Sequence, residues 1–196
     1  MSTILTKKFT KLRKELEYWQ SELDYVLEVL EEQHQKFEEH QQKFCKENNI
    51  DLAALNNQNN EVIQEVMSSI KPKKNLSVDF KAKKQKKQMK NIYKQLAKKL
   101  HPDVGGDEHQ FKEVTSAMSE NNFQKIFDIC EKHDILLKID DELIELLEKQ
   151  IVQIKTKVEK EKSTYSWKLF LCGQNVTCKN ILIQRFLKQL FNYGGG

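Results

Sequence analysis

His101 and Asp103, on either side of Pro102, are the side chains of this 196-residue chain best placed to do chemistry. An imidazole both donates and accepts hydrogen bonds, and a carboxylate accepts them. The proline limits the freedom of the segment, so less ordering entropy is lost when the pair docks on a partner. That is recognition chemistry, and the chain is not expected to be an enzyme. Phosphate-binding glycine loops and nucleophile elbows are absent from the sequence. His101 and His109 with Asp103 and Asp107 invite a metal reading. A metal site, however, needs convergent ligands with a formed outer shell, so neither a metal nor another cofactor is expected. Cys45, Cys130, Cys172 and Cys178 contain no Cys-x-x-Cys pair. Cys172 and Cys178 therefore read as packing or exposed thiols, and a reducing cytoplasm fits.

The elements that must position His101 and Asp103 are helical. Charged residues make up 32% of the chain and hydrophobic ones 38%, with six glycines and two prolines, a balance that favours long solvated helices over a sheet core. The predicted fold class is all-α, with long coiled-coil helices flanking a small helical hairpin. A basic helix is expected over residues 80–100, because Met89, Ile92, Tyr93, Leu96, Ala97 and Leu100 recur at helical spacing. Lys87, Lys90, Lys94 and Lys98 fall on its other faces. Pro102 cannot continue the helix and pushes His101 toward an extended backbone. Gly105-Gly106 supplies a turn, and Asp107 with Gln110 three residues on reads as a variant capping box. Phe111, Val114, Thr115 and Met118 give the following helix its apolar face, and Phe123, Ile126, Phe127 and Cys130 form a further short stripe.

Around this core lie longer segments. Residues 1–47 are predicted as a coiled-coil helix, since Phe9, Leu12, Leu16, Trp19, Leu23, Val26 and Leu30 step alternately by three and four. The seam continues loosely to Phe37 and Phe44, with Gln33, His34 and His40 on or near it. Residues 48–79 are expected to hold a short helix, with Val62, Ile63, Val66, Met67 and Ile70 on one face, and a linker. Residues 80–135 are the core. Residues 139–162 form a second long helix on the seam Leu143, Leu147, Ile151, Ile154 and Val158. In residues 163–196 an irregular stretch anchored by Trp167, Phe170 and Leu171 precedes an apolar helix over 181–191 that docks on the coiled-coil region. No apolar run is long enough to span a bilayer, and residues 1–12 do not read as a secretory signal.

The stretch over residues 83–121 resembles the J-domain, the module by which DnaJ-type co-chaperones stimulate ATP hydrolysis in DnaK-type heat-shock chaperones. The match lies at Tyr93, Leu96 and Ala97 on the second helix of that family, at His101-Pro102-Asp103 in its loop, and at Phe111 and Ala117 on its third helix. The resemblance implies that His101, Pro102 and Asp103 are the activating loop. It also implies that Lys87, Lys90, Lys94 and Lys98 face the partner's ATPase domain, with Tyr93, Leu96, Ala97, Phe111, Ala117 and Met118 as scaffold. This sequence departs from the family twice. The Tyr-x-x-Leu-Gly-type signature of the first helix is missing: either residues 61–70 fill its role, or the J-like unit is abbreviated and the coiled-coil segments cover its apolar face. Val104 stands where a basic residue often follows the loop.

Charge is distributed to match. Residues 71–100 hold twelve lysines against one acid, Asp79, while the whole chain is only +4. A one-signed field steers an acidic partner. It equally suits non-specific nucleic-acid binding, although Phe80 and Tyr93 are the only aromatic residues interleaved with the lysines. A third class is a coiled-coil structural adaptor with a J-like scaffold that has lost activity. The long helices could also pair into a homodimer.

Overall fold

Apolar residues at alternating three- and four-residue steps wind the first segment into one helix, α1, Thr3–Glu47. The structure, a computed structural model, describes residues 3–57, 59–60, 80–120 and 122–191, and of residues 80–88 the backbone only. The expected helix over 61–70, the linker after it and the side chain of Lys87 lie outside the described residues. After α1, residues 52–57 are helical. Then come α2, Phe80–Leu100; a 3-10 turn, Pro102–Val104; α3, Glu108–Ser119; α4, Phe123–Lys132; α5, Asp141–Lys162; α6, Tyr165–Cys172; and α7, Val176–Phe191. The protein is all-α, with no strand among the described residues.

The helix ends follow from local chemistry. Asn49 takes a left-handed φ of 55°, and the Ile50 N–H reaches back to the Cys45 carbonyl at 2.9 Å, closing α1. Asp134 does the same for α4, with φ 52° and Ile135 N–H to Cys130 carbonyl at 2.8 Å. Side-chain oxygens of Asp107, Asn122, Asp140, Thr164 and Asn175 accept orphan N–H groups at the starts of α3 to α7.

The chain divides into two units. The first comprises Met1–Ser21 and Leu76–Lys155. Its core draws Phe9, Leu12 and Leu16 from α1, Met89, Ile92, Leu96 and Leu100 from α2, Val114 and Ala117 from α3, Ile126, Phe127 and Cys130 from α4, and Leu143, Leu147 and Ile151 from α5, all buried. Each buried Leu or Phe contributes about 1.5–3 kcal/mol. Phe9 meets Phe127 edge to face at 5.8 Å. Arg13 ties α1 to α4 through Asp128 at 2.7 Å and Glu131 at 2.9 Å. The N-terminal part of the seam is thus covered by the chain's own later helices.

The second unit comprises Glu22–Asn75 and Thr156–Gly196. Phe37, Phe44 and Cys45 of α1 pack with Leu169 of α6 and Leu182, Ile183 and Leu187 of α7. Phe37 and Phe186 meet edge to face at 5.0 Å, so the last helix docks on α1. Two expectations are corrected here. Residues 163–180 are not irregular: α6 is helical, started by Thr164, and α7 begins at Val176. Trp167 and Leu169 are the buried anchors, whereas Leu171 is 68% exposed. Cys172 and Cys178 are also not separate thiols. They are disulfide-bonded, because α6 ends at one and α7 starts beside the other, bringing their Cα atoms to 5.7 Å.

Candidate functional site

The site begins with a helix that is made to stop. The His101 N–H still donates to the Ala97 carbonyl at 2.9 Å, but Pro102 holds His101 at φ −65° and ψ 134°, outside the helical region. The chain then closes a turn on His101 itself. Its carbonyl accepts from Val104 N–H at 3.0 Å and from Gly106 N–H at 3.1 Å. Gly105 takes φ 80°, which only glycine adopts without strain, and its N–H donates to the Pro102 carbonyl at 3.0 Å. Gly106 lies so close to the backbone of Leu100 that any side chain there would collide with it.

This turn orients the two functional side chains. The Asp103 N–H donates to His101 Nδ1 at 3.2 Å, so in the neutral ring the proton sits on Nε2. The Asp103 carboxylate lies 3.4 Å from the same nitrogen. Phe111 of α3 meets the imidazole edge to face, with centroids 4.8 Å apart. His101 is therefore braced from two sides. Its side chain remains 42% exposed, and that of Asp103 is 86% exposed. Together they can present a ring N–H donor and an anionic acceptor to a partner.

The hairpin behind the tip is formed by α2 and α3, which pack against each other. Leu96 is fully buried, and Tyr93 and Ala97 are half-buried. On α3, Val114 and Ala117 are buried, while Phe111 and Met118 are half-buried. Thr115, expected on the apolar face, is exposed and donates its hydroxyl to the Phe111 carbonyl at 2.9 Å. Asp107 caps α3 through Gln110 N–H at 2.8 Å. The return half of the capping box is not made, and Gln110 Oε1 is buried without a partner. Lys90, Lys94 and Lys98 are exposed, and their four-residue spacing sets them along one side of α2. Lys99 points elsewhere, donating to the His133 carbonyl. A cleft of about 450 Å³ opens beside the tip, between His101-Pro102 and the Glu108, Phe111, Thr115 and Ser119 side of α3.

Pairings between α1 and the C-terminal helices did not emerge from the sequence. His34 Nδ1 lies 2.8 Å from Ser166 Oγ, and His40 Nε2 lies 3.0 Å from Asn180 Oδ1. Their partners are 132 and 140 residues apart, beyond any local spacing signal. Ser166 is only 5% exposed, so its pairing with His34 reads as a packed hydrogen bond and not as an activated nucleophile. Among the described residues no group of three or more His, Cys, Asp or Glu side chains converges as a metal site. No helix among them is long and apolar enough to cross a membrane.

No protein-family model, curated protein or solved structure matches this chain.

Proposed function

We propose that this protein is a co-chaperone that recruits a DnaK-type heat-shock chaperone and stimulates its ATP hydrolysis. The observation that carries the reading is the exposed His101-Pro102-Asp103 tip, braced by Phe111 at the end of the α2–α3 hairpin. A pre-set donor and acceptor lose little freedom on docking, and an exposed row of lysines speeds encounter with an acidic surface. The chain supplies no catalytic group. It biases the partner ATPase by binding one of its states better than the other. Resemblance to the J-domain family supports the same assignment, and residues 61–70 are the candidate for the absent first helix.

Single-turnover ATP hydrolysis by the chaperone from the same cell, with and without this chain, tests the proposal. The chain is expected to accelerate hydrolysis, and His101→Gln is expected to abolish the acceleration while leaving the fold intact by circular dichroism. Equal acceleration by His101→Gln, or none by the parent, refutes it.

The exposed lysines favour one alternative, non-specific nucleic-acid binding along α2. That reading predicts binding to any duplex that weakens steeply with salt and is indifferent to His101→Gln.

A further inference from the structure

The corner between α6 and α7 carries a reactive group that the recognition tip does not use. Cys172 is the last residue of α6, Cys178 lies in the first turn of α7, and their sulfurs are joined. Leu171 and residues 173–177 around the bond are exposed, and both cysteines are half-buried, so a small reagent reaches them from water. The other two cysteines differ. Cys45 is 3% exposed and Cys130 0%, and burial pushes both thiols up, so they stay protonated and inert.

The two ends of the bond are not equivalent. A helix start favours negative charge and a helix end disfavours it. Once the bond opens, a thiolate is therefore favoured at Cys178, next to Lys179, and opposed at Cys172 by the last carbonyls of α6. Access agrees with charge. A cleft of about 350 Å³ has Cys178 on its wall and not Cys172. Ile181, Leu182 and Arg185 line the same cleft, at steps of three and four that put them on one face of α7 with Cys178. The exposed Arg185 stands about 10 Å along the helix from Cys178, within reach of a carboxylate on a short peptide bound at the sulfur.

We propose that Cys172 and Cys178 are a reversible redox pair that exchanges with small carboxylate-bearing disulfides of the glutathione type, with Cys178 reacting first. The Cys178 thiolate attacks one sulfur of the small disulfide. That S–S bond breaks, one small thiolate leaves, and a mixed disulfide forms at Cys178. The Cys172 thiolate then attacks the Cys178 sulfur, expels the second small thiolate and closes the internal bond. The protein dithiol gives up two electrons and two protons, and the small disulfide becomes two thiols. Reduction by two small thiols runs the same steps in reverse. Leu169, Leu182, Ile183 and Leu187 pack into the core without either sulfur, so the corner holds its shape in both states.

Timed acid quenching and mass spectrometry of the reduced full chain with glutathione disulfide at pH 7 test the proposal. The parent should lose two free thiols and regain the internal bond, with Cys45 and Cys130 untouched. Cys172→Ser should stop at a mixed disulfide on Cys178. Cys178→Ser should form one on Cys172 about tenfold more slowly, because thiolate share and access both fall. In the Cys172→Ser background, Arg185→Gln should slow reaction with glutathione disulfide about threefold, the effect of one exposed ion pair. It should leave the rate with uncharged hydroxyethyl disulfide unchanged, which a disturbed fold would not do. No exchange in the parent, equal rates in the two serine variants, or an Arg185→Gln effect that is absent or equal for both probes each overturns the proposal.

Discussion

Replacing Gly106 with alanine tests the turn that carries the tip. A Cβ at Gly106 would sit 2.2 Å from the carbonyl carbon of Leu100, 2.3 Å from its oxygen and 2.6 Å from its Cα. These are backbone atoms at the end of α2, so they cannot swing aside as a side chain would. The loop must move out by about an ångström or more, at an overpacking cost of about 1–3 kcal/mol. That movement also stretches the Gly106 N–H bond to the His101 carbonyl, now 3.1 Å. Losing it adds about 0.5–1.5 kcal/mol, for a total of roughly 1.5–4.5 kcal/mol. Gly105→Ala is the internal comparison. Nothing lies within 4 Å of a Cβ there, so only the strain of φ +80° applies, about 1–2 kcal/mol. Urea unfolding followed by far-ultraviolet circular dichroism should rank parent, Gly105→Ala and Gly106→Ala in falling stability. Under the proposed function, Gly106→Ala should also lose most ATPase stimulation while retaining His101 and Asp103, because the turn that orients them has shifted. A Gly106→Ala protein within about 0.5 kcal/mol of the parent would refute this account of the loop.

Two further predictions concern the cysteines. Joining Cys172 to Cys178 closes a short loop, so replacing both by serine should lower stability by about 2 kcal/mol under oxidising conditions. The difference should largely disappear in excess dithiothreitol. Burial lifts the Cys130 thiol from 9.0 to about 11, against the opposing pull of Arg13. Between those values the unfolded chain has given up the proton and the folded chain has not, so stability should fall as pH rises from 9 to about 11. The fall should total about 2–3 kcal/mol, and Cys130→Ala should flatten that part of the pH–stability curve.

The parts legible from the sequence were those governed by local rules. The three- and four-residue step marked Phe9, Leu12, Leu16, Trp19, Leu23, Val26 and Leu30, and all are buried except Trp19, which is half-buried. Pro102 and the Gly105-Gly106 pair announced where α2 stops, and Asp107 announced where α3 begins. The periodicity did not say what the seam would face. That Phe9 meets Phe127, or that Arg13 reaches Asp128 and Glu131, is a tertiary fact with no nearby sequence signal. The cysteine pair was missed because a spacing of six matches no common motif. Only the adjacent ends of α6 and α7 bring the two together. At the tip, residue types were readable, but the brace from Phe111 and the proton on Nε2 required geometry.

The unit that carries the tip is assembled from two separated stretches, Met1–Ser21 and Leu76–Lys155. A ribosome makes the first stretch long before the second. At roughly 5–20 residues per second, Phe9, Leu12 and Leu16 emerge many seconds before Phe127 and Leu147 exist to shelter them. During that interval the nascent helix displays an oily stripe to water. A fragment cut to residues 80–135 would have the reverse defect, since the α1 residues that cover Phe127 would be missing. Grafting the tip onto another scaffold therefore requires carrying the distant N-terminal strip along with it.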